Sequence, residues 1–351
     1  MIRREDFLQT LRSRGTLVGG DYSGIDLSGQ DLAGACFERV VLERANFSGA
    51  RLGDCIFVDV RASGTDWAQA QAPGCRFFNT SLVGARMPRA SLLSAEFQDC
   101  DLRGVDFHEA DLSAAEWLRS DLGRVQARGA RLPRAVISQC GLAGADFSGG
   151  DLTRLMAQEA DFTTCRLEGA LLRKALFRGA RLVGQRFRDS DLQLALFDLA
   201  DLRNADFTRA QLTQATFREA DLTGCRFNDS RGASLDLTGA KFRAADAAGA
   251  RLPSSSFQEA DLRGTRFWRS DLRQGLFRLA WCELAVFREA DLALADFSSA
   301  CLRGADFTQA RLLRTRLHRA ALMGSAWDGV DRAQTLGTDV ELTRAEAFRP
   351  T

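Results

Sequence analysis

Apolar residues recur along this chain at a fixed interval of five. Between Ala195 and Phe227 a small residue (Ala195, Ala200, Ala205, Ala210, Ala215, Ala220, Cys225) stands two places before a bulky one (Phe197, Leu202, Phe207, Leu212, Phe217, Leu222, Phe227). The bulky position is termed here the centre of a pentad. On an α-helix, residues five apart are turned by about 140° and spiral around every side, so no helix owns this pattern. A flat strand has period two, and an odd repeat would send the apolar set to the opposite face each time. The chain must bend once per pentad. Self-similarity at so short a period predicts a solenoid whose coils stack like side chains on one another.

From Tyr22 to Trp327 the centre recurs without insertion or deletion, giving 62 centres, of which only Ala62, Ala72, Ala127, Ala157, Gly232, Ala247 and Cys282 are small. Two of these are compensated: Leu155 stands two before Ala157, and Leu235 takes the small position after Gly232, so volume moves across the wall instead of being lost. Pro73, Pro88, Pro133 and Pro253 each follow a centre by one residue, as expected at an outward corner where a missing N–H costs little. Leu and Phe mostly alternate, as in Leu182, Phe187, Leu192 and Phe197.

The pentads Ala-Asp-Leu-Arg-Asn at 200–204, Ala-Asp-Phe-Thr-Arg at 205–209 and Ala-Asp-Leu-Thr-Gly at 220–224 closely resemble the repeat of the pentapeptide-repeat family. That resemblance implies an all-β fold, a right-handed quadrilateral parallel β-helix with four pentads per coil, the centre and the small residue pointing inward. Sixty-two pentads then make about fifteen coils, and stacking at about 4.8 Å gives a rod of about 70 to 75 Å. Alternation over four walls places Phe columns on two opposite walls, with Phe197, Phe217, Phe257, Phe277 and Phe297 in one of them.

The expected division is an N-terminal cap at 1–20, the β-helix at 21–328 and a C-terminal cap or dimer-contact tail at 329–351. Ile2, Phe7, Leu8 and Leu11 share one face of a short helix, and a solenoid end requires such a cover. At the other end Leu342, Ala345 and Phe348 fall on one side of a helix over 341–348. The tail is also expected to fold back over the nearby Trp281.

Composition adds exclusions. The 351 residues carry 47 basic and 46 acidic side chains, so direct nucleic-acid binding is not expected despite the many arginines. No apolar run approaches about 18 residues and the charged N-terminus has no leader core, so the expectation is a cytoplasmic protein without membrane insertion. Of nine cysteines, Cys55, Cys75, Cys100, Cys140, Cys165 and Cys225 occupy the small inward position, where they serve as small hydrophobes. His108 and His318 are far apart, and no phosphate-binding loop or catalytic constellation is present; no metal, cofactor or enzymatic activity is expected. Asp101, Asp121, Asp161, Asp201, Asp221 and Asp261 share a column, interrupted by Arg181 and Lys241 and bordered by Arg103, Arg203, Arg243 and Arg263, which predicts a salt-bridged wall.

The departure from a polar exterior is apolar side chains at outward positions. Val136, Met156, Leu176 and Leu196 precede the centre on one wall of four successive coils, bordered by Leu171, Leu194 and Leu199. A second group, Leu276, Leu279, Trp281, Leu284 and Val286, winds around one coil beside Trp268. Clustered exposed apolar surface marks contact with something. The expected function is therefore a structural or protein-interaction scaffold whose partner is a protein, with a homodimer through an end or the stripe also open. The resemblance supplies an alternative, mimicry of DNA toward a type II topoisomerase such as DNA gyrase. Duplex DNA carries a charge per about 1.7 Å, however, and a net charge of +1 does not reproduce it.

Overall fold

The computed structural model describes residues 4–347. It divides into two compact units, Met1–Arg181 and Leu182–Thr351. In the first, helix α1 (Arg4–Arg14) leads into seven three-residue strands: β1 (Thr16–Val18), β2 (Cys36–Glu38), β3 (Ile56–Val58), β4 (Arg76–Phe78), β5 (Glu96–Gln98), β6 (Glu116–Leu118) and β7 (Val136–Ser138). Each strand pairs in parallel with the next at a shift of twenty residues, Phe37 with Phe57 and Phe57 with Phe77. Twenty residues per turn is four pentads, as the family resemblance implied.

These strands account for one wall over six turns, fewer than the about fifteen expected from the pentad count. The other walls, and this wall beyond Ser138, keep the twenty-residue step through single parallel bridges, such as Asp101↔Asp121 in the first unit and Asp206↔Arg226 in the second. The difference lies in the corners. Most pentads close with a four-residue turn in which the N–H after the corner returns to the centre's carbonyl, as Ala50 N to Phe47 O at 3.0 Å. The third turn residue has positive φ, 62° at Gly49 and 56° at Arg89, which defines a type II turn and admits proline just before it. Pro73, Pro88, Pro133 and Pro253 occupy that place. Along the β1–β7 wall the corner is an open bend, and three residues stay extended. The inward residues after those bends are Val40, Val60, Thr80, Cys100, Ser120 and Cys140, whereas Ala180 and Ala200 follow hydrogen-bonded turns.

The core is a set of ring columns. Phe37, Phe57, Phe77 and Phe97 stack with centroids 4.7–4.8 Å apart. In the second unit Phe257, Phe277 and Phe297 form one stack and Phe267, Phe287 and Phe307 another. The two stacks meet edge-to-face, Phe277 on Phe287 at 87°, a favoured arrangement of aromatic quadrupoles. Two of the small centres are compensated as expected: Leu155 and Leu235 are buried, and a Cβ at Gly232 would lie 2.3 Å from Leu235 Cδ1.

Both ends of the chain carry helices, so the fold is solenoidal with helical termini. Phe7 and Leu11 of α1 are buried, Phe7 packing edge-on to Tyr22. At the far end Asp331 caps a 3₁₀ turn (Arg332–Gln334), and Leu336 continues the ladder by bonding Thr315 and Leu317. Asp339 N donates to His318 Nδ1 just before helix α2 (Val340–Ala347). Residues 334–339 thus lie along the 314–319 segment, while Trp281 stays 52% exposed, so among the described residues the expected fold-back is not seen. Ile2 and Phe348 lie outside the described residues, as does the side chain of Ala345.

Candidate interaction surface

The outward positions are organised by aspartate. Where the residue before a centre is aspartate, its carboxylate commonly accepts the backbone N–H two residues later, as Asp146 Oδ1 from Ser148 N (2.9 Å) and Asp221 Oδ1 from Thr223 N (3.1 Å). This local bond braces the corner, which explains a preference for Asp that electrostatics alone does not. Arginine then closes the second oxygen: Arg103 on Asp101, Arg203 on Asp201 and Arg263 on Asp261 are bidentate. Arg243 reaches Asp261 at 3.1 Å, and Lys241 and Arg181 reach Asp221 and Asp161 at 3.9 and 3.3 Å. The bond from Arg103 holds Asp101 below the ordinary aspartate range, against the opposing effect of partial burial. The expected salt-bridged wall is present.

Cys55, Cys75, Cys100, Cys165 and Cys225 are buried and Cys140 is half-buried; all nine cysteines are free thiols. Burial pushes Cys100 and Cys165 up to about 12, so these thiols are poor nucleophiles and poor metal ligands. Among the described residues no group of His, Cys, Asp and Glu could hold a metal ion, and no helix is long and apolar enough to cross a membrane.

Against this polar exterior the apolar candidates stand out. In the first unit, bridges Val136↔Met156 and Met156↔Leu176 place three of them on one wall, and Met156 is 38% and Leu171 53% exposed. Leu196 belongs to the second unit, where it bridges Thr216, with Leu194 and Leu199 at neighbouring left-handed corners. In the second band Leu279, Trp281 and Leu284 are the most exposed members, at 54%, 52% and 69%. Leu276 is exposed as well, and Val286 is half-buried. Trp268 is exposed too, at 42%, with its Nε1 donating to Glu289 and Arg269 stacked on its ring at 4.3 Å.

One feature of the first unit escaped the sequence reading. A groove of about 750 Å³ runs past Arg119, Asp121, Cys140, Gly141, Thr164 and Arg181. Its origin is Gly141 in an aspartate column, next to Gly144, whose N–H is met by Thr164 Oγ1 and not by a backbone carbonyl like that of its neighbour Arg124. A glycine where the column calls for aspartate was the available signal. The cations at its rim are paired, Arg119 with Asp99 and Arg181 with Asp161, so the groove offers no free charge of theirs to a ligand.

A bent pentad, a twenty-residue parallel step and a core of stacked centres define a pentapeptide-repeat solenoid. The pentapeptide-repeats family matches with eight copies over 23–58, 88–116, 120–154, 158–193, 190–229, 236–274 and 282–325, and this chain belongs to that family. No curated protein matches it. Similar solved structures include trypsin-treated QnrB1, a plasmid-mediated fluoroquinolone resistance protein (21% identity over 60% of this chain and 89% of that one, TM-score 0.30). Another is HetL, a protein involved in heterocyst differentiation regulation from the cyanobacterium Nostoc sp. strain PCC 7120 (18% identity, 94% and 97%, TM-score 0.18).

Proposed function

We propose that this chain is a non-enzymatic scaffold that binds a protein partner through apolar patches on its walls. The observation that carries this reading is the contrast in the first unit: a wall of ion-paired aspartates and arginines elsewhere, but Val136, Met156 and Leu176 in line on successive coils. A side chain that is exposed where its counterparts are polar gains by being covered, at about 25 cal/mol per Å² of apolar area. Replacing Met156 and Leu176 together by arginine leaves the inward positions untouched. The double variant should keep its unfolding midpoint and lose a partner captured from source lysate by the unaltered protein. Capture retained at full yield would overturn this assignment of the patch.

DNA mimicry needs an unbroken run of negative charge. Here the arginines that close on the aspartates break it. A gyrase supercoiling assay with and without the protein separates the two readings, since a mimic inhibits or protects the enzyme and this scaffold leaves it unaffected.

A further inference from the structure

Two residues before Val136, Met156 and Leu176 stand Arg134, Arg154 and Lys174, each at a left-handed corner with φ of 60° to 62°. Backbone bonds from Arg134 N to Thr153 O and from Arg154 N to Arg173 O place these corners on successive coils. A basic ridge therefore runs beside the apolar strip, with Arg173 and the exposed Leu171 on its other flank. Several arginines nearby are tied to carboxylates, as Arg119 is to Asp99 at 2.7 Å, Arg131 to Asp111 at 3.8 Å and Arg181 to Asp161 at 3.3 Å. None of Arg134, Arg154, Arg173 and Lys174 has a carboxylate oxygen within 4.0 Å among the described residues. Asp151, the acid closest in sequence, is occupied with the N–H of Thr153. Like charges stacked at coil spacing repel one another, and the solenoid gains nothing from them internally.

We propose that this face receives an acidic amphipathic α-helix of a partner protein; the proposal rests on the scaffold reading and narrows it. Charge complementarity demands a row of carboxylates over the ridge, beside an apolar row over the strip. The spacing selects the helix. Coils are 4.7–4.8 Å apart where the rings stack. Helix residues four apart, which form such rows, rise about 6.0 Å per step, a mismatch of about 2.5 Å over two coil steps. Same-face residues of an extended strand are about 6.7 Å apart, a mismatch of about 4 Å over the same distance. A helix lying along the coil axis thus keeps both rows in contact over all three coils, and the flexible Met156 side chain absorbs the remainder.

The test uses the full chain and a dye-labelled, alanine-based helical peptide of about eighteen residues, followed by fluorescence anisotropy. Glu occupies i, i+4 and i+8 and Leu occupies i+3, i+7 and i+11, two adjoining rows on one side of the helix. Saturable binding is expected that falls about tenfold in the triple variant Arg134→Glu/Arg154→Glu/Lys174→Glu, falls also in Met156→Gln, and weakens with added salt. Lysine in place of the peptide's glutamates, or leucines moved to the face opposite them, should abolish it. The proposal is overturned if the peptide does not bind the folded protein, or if either control peptide binds as tightly. It is equally overturned if duplex DNA binds as tightly and Met156→Gln has no effect, because the ridge is then a general polyanion site. Should the peptide fail while Met156→Arg/Leu176→Arg still abolishes lysate capture, only the helix falls and the scaffold reading stands.

Discussion

Trp117 offers a direct test of how this core tolerates polar atoms. It continues the Phe77–Phe97 stack, is 1% exposed, and its indole Nε1 is buried with no hydrogen-bond partner. The other tryptophans at centres are satisfied from one place: Trp67 donates to Thr65 Oγ1 at 2.8 Å and Trp327 to Ser325 Oγ at 2.7 Å. Both acceptors are the small inward residue two before the centre. At Trp117 that residue is Ala115, which has nothing to offer. An orphaned buried donor costs about 1–3 kcal/mol, and a hydroxyl is already tolerated at buried inward positions such as Ser120, Ser255 and Ser270. Ala115→Ser should therefore stabilise the protein by about 1 kcal/mol, the bond gained less the desolvation of the new hydroxyl. Thr65→Val, which keeps the shape and removes the acceptor, should cost about 1–3 kcal/mol. Urea unfolding followed by circular dichroism reads the sign. Because a long chain unfolds with a steep denaturant dependence, the midpoint shift is small, and a second readout is needed. In ¹⁵N-tryptophan spectra the Trp117 indole proton should move downfield and exchange more slowly in Ala115→Ser. An unchanged indole resonance, or a Thr65→Val variant as stable as the parent, would refute the reasoning.

Two further outcomes follow from the geometry. Gly232→Leu should destabilise by about 1–3 kcal/mol because Leu235 fills its space, and Leu235→Ala by about 2–5 kcal/mol through the cavity it leaves; the double variant, which restores an ordinary pentad, should recover most of both losses, and purely additive costs in denaturant titrations would contradict the shared-volume account. Arg273 bonds both oxygens of Asp271 and lowers its pKa against the effect of burial, so this contribution is full above the unfolded aspartate value of about 3.9 and vanishes as pH falls through the lower folded value. Arg273→Met should thus be less stable than the parent at pH 6, with the gap narrowing as pH falls below about 3.9, and a gap independent of pH would remove Asp271 from the explanation.

Period and side-chain volume made the interior legible. The five-residue interval required a bend, the alternation of Leu and Phe placed the ring columns, and Leu235 declared the vacancy at Gly232. The same logic found α1, because Phe7 and Leu11 have nothing to bury against except the first coils. What escaped was chemistry carried by geometry within a pentad. Nothing in the letter Asp says that its carboxylate braces the corner by accepting an N–H two residues on, although the frequent Ser or Thr at that place accompanies it. The open bends of the β1–β7 wall were hidden because they share the pentad pattern of the closed turns. The candidate surface was legible as a set of leucines, but its basic flank was not: Arg134, Arg154 and Lys174 lie twenty residues apart among dozens of arginines, and only the coordinates separate the unpaired from the paired.

The twenty-residue step has a consequence for how such a protein changes over generations. Within each unit coils bond to their neighbours at the same offset, so the interior there cannot tell one coil from another beyond the identity of its four centres. Duplicating a single pentad would turn all later walls by a quarter revolution, but would set Phe against Leu down the columns. Duplicating two would turn them by half a revolution and leave Phe on Phe. Ten residues is therefore the smallest insertion that re-aims an outer face while its inner packing stays in phase.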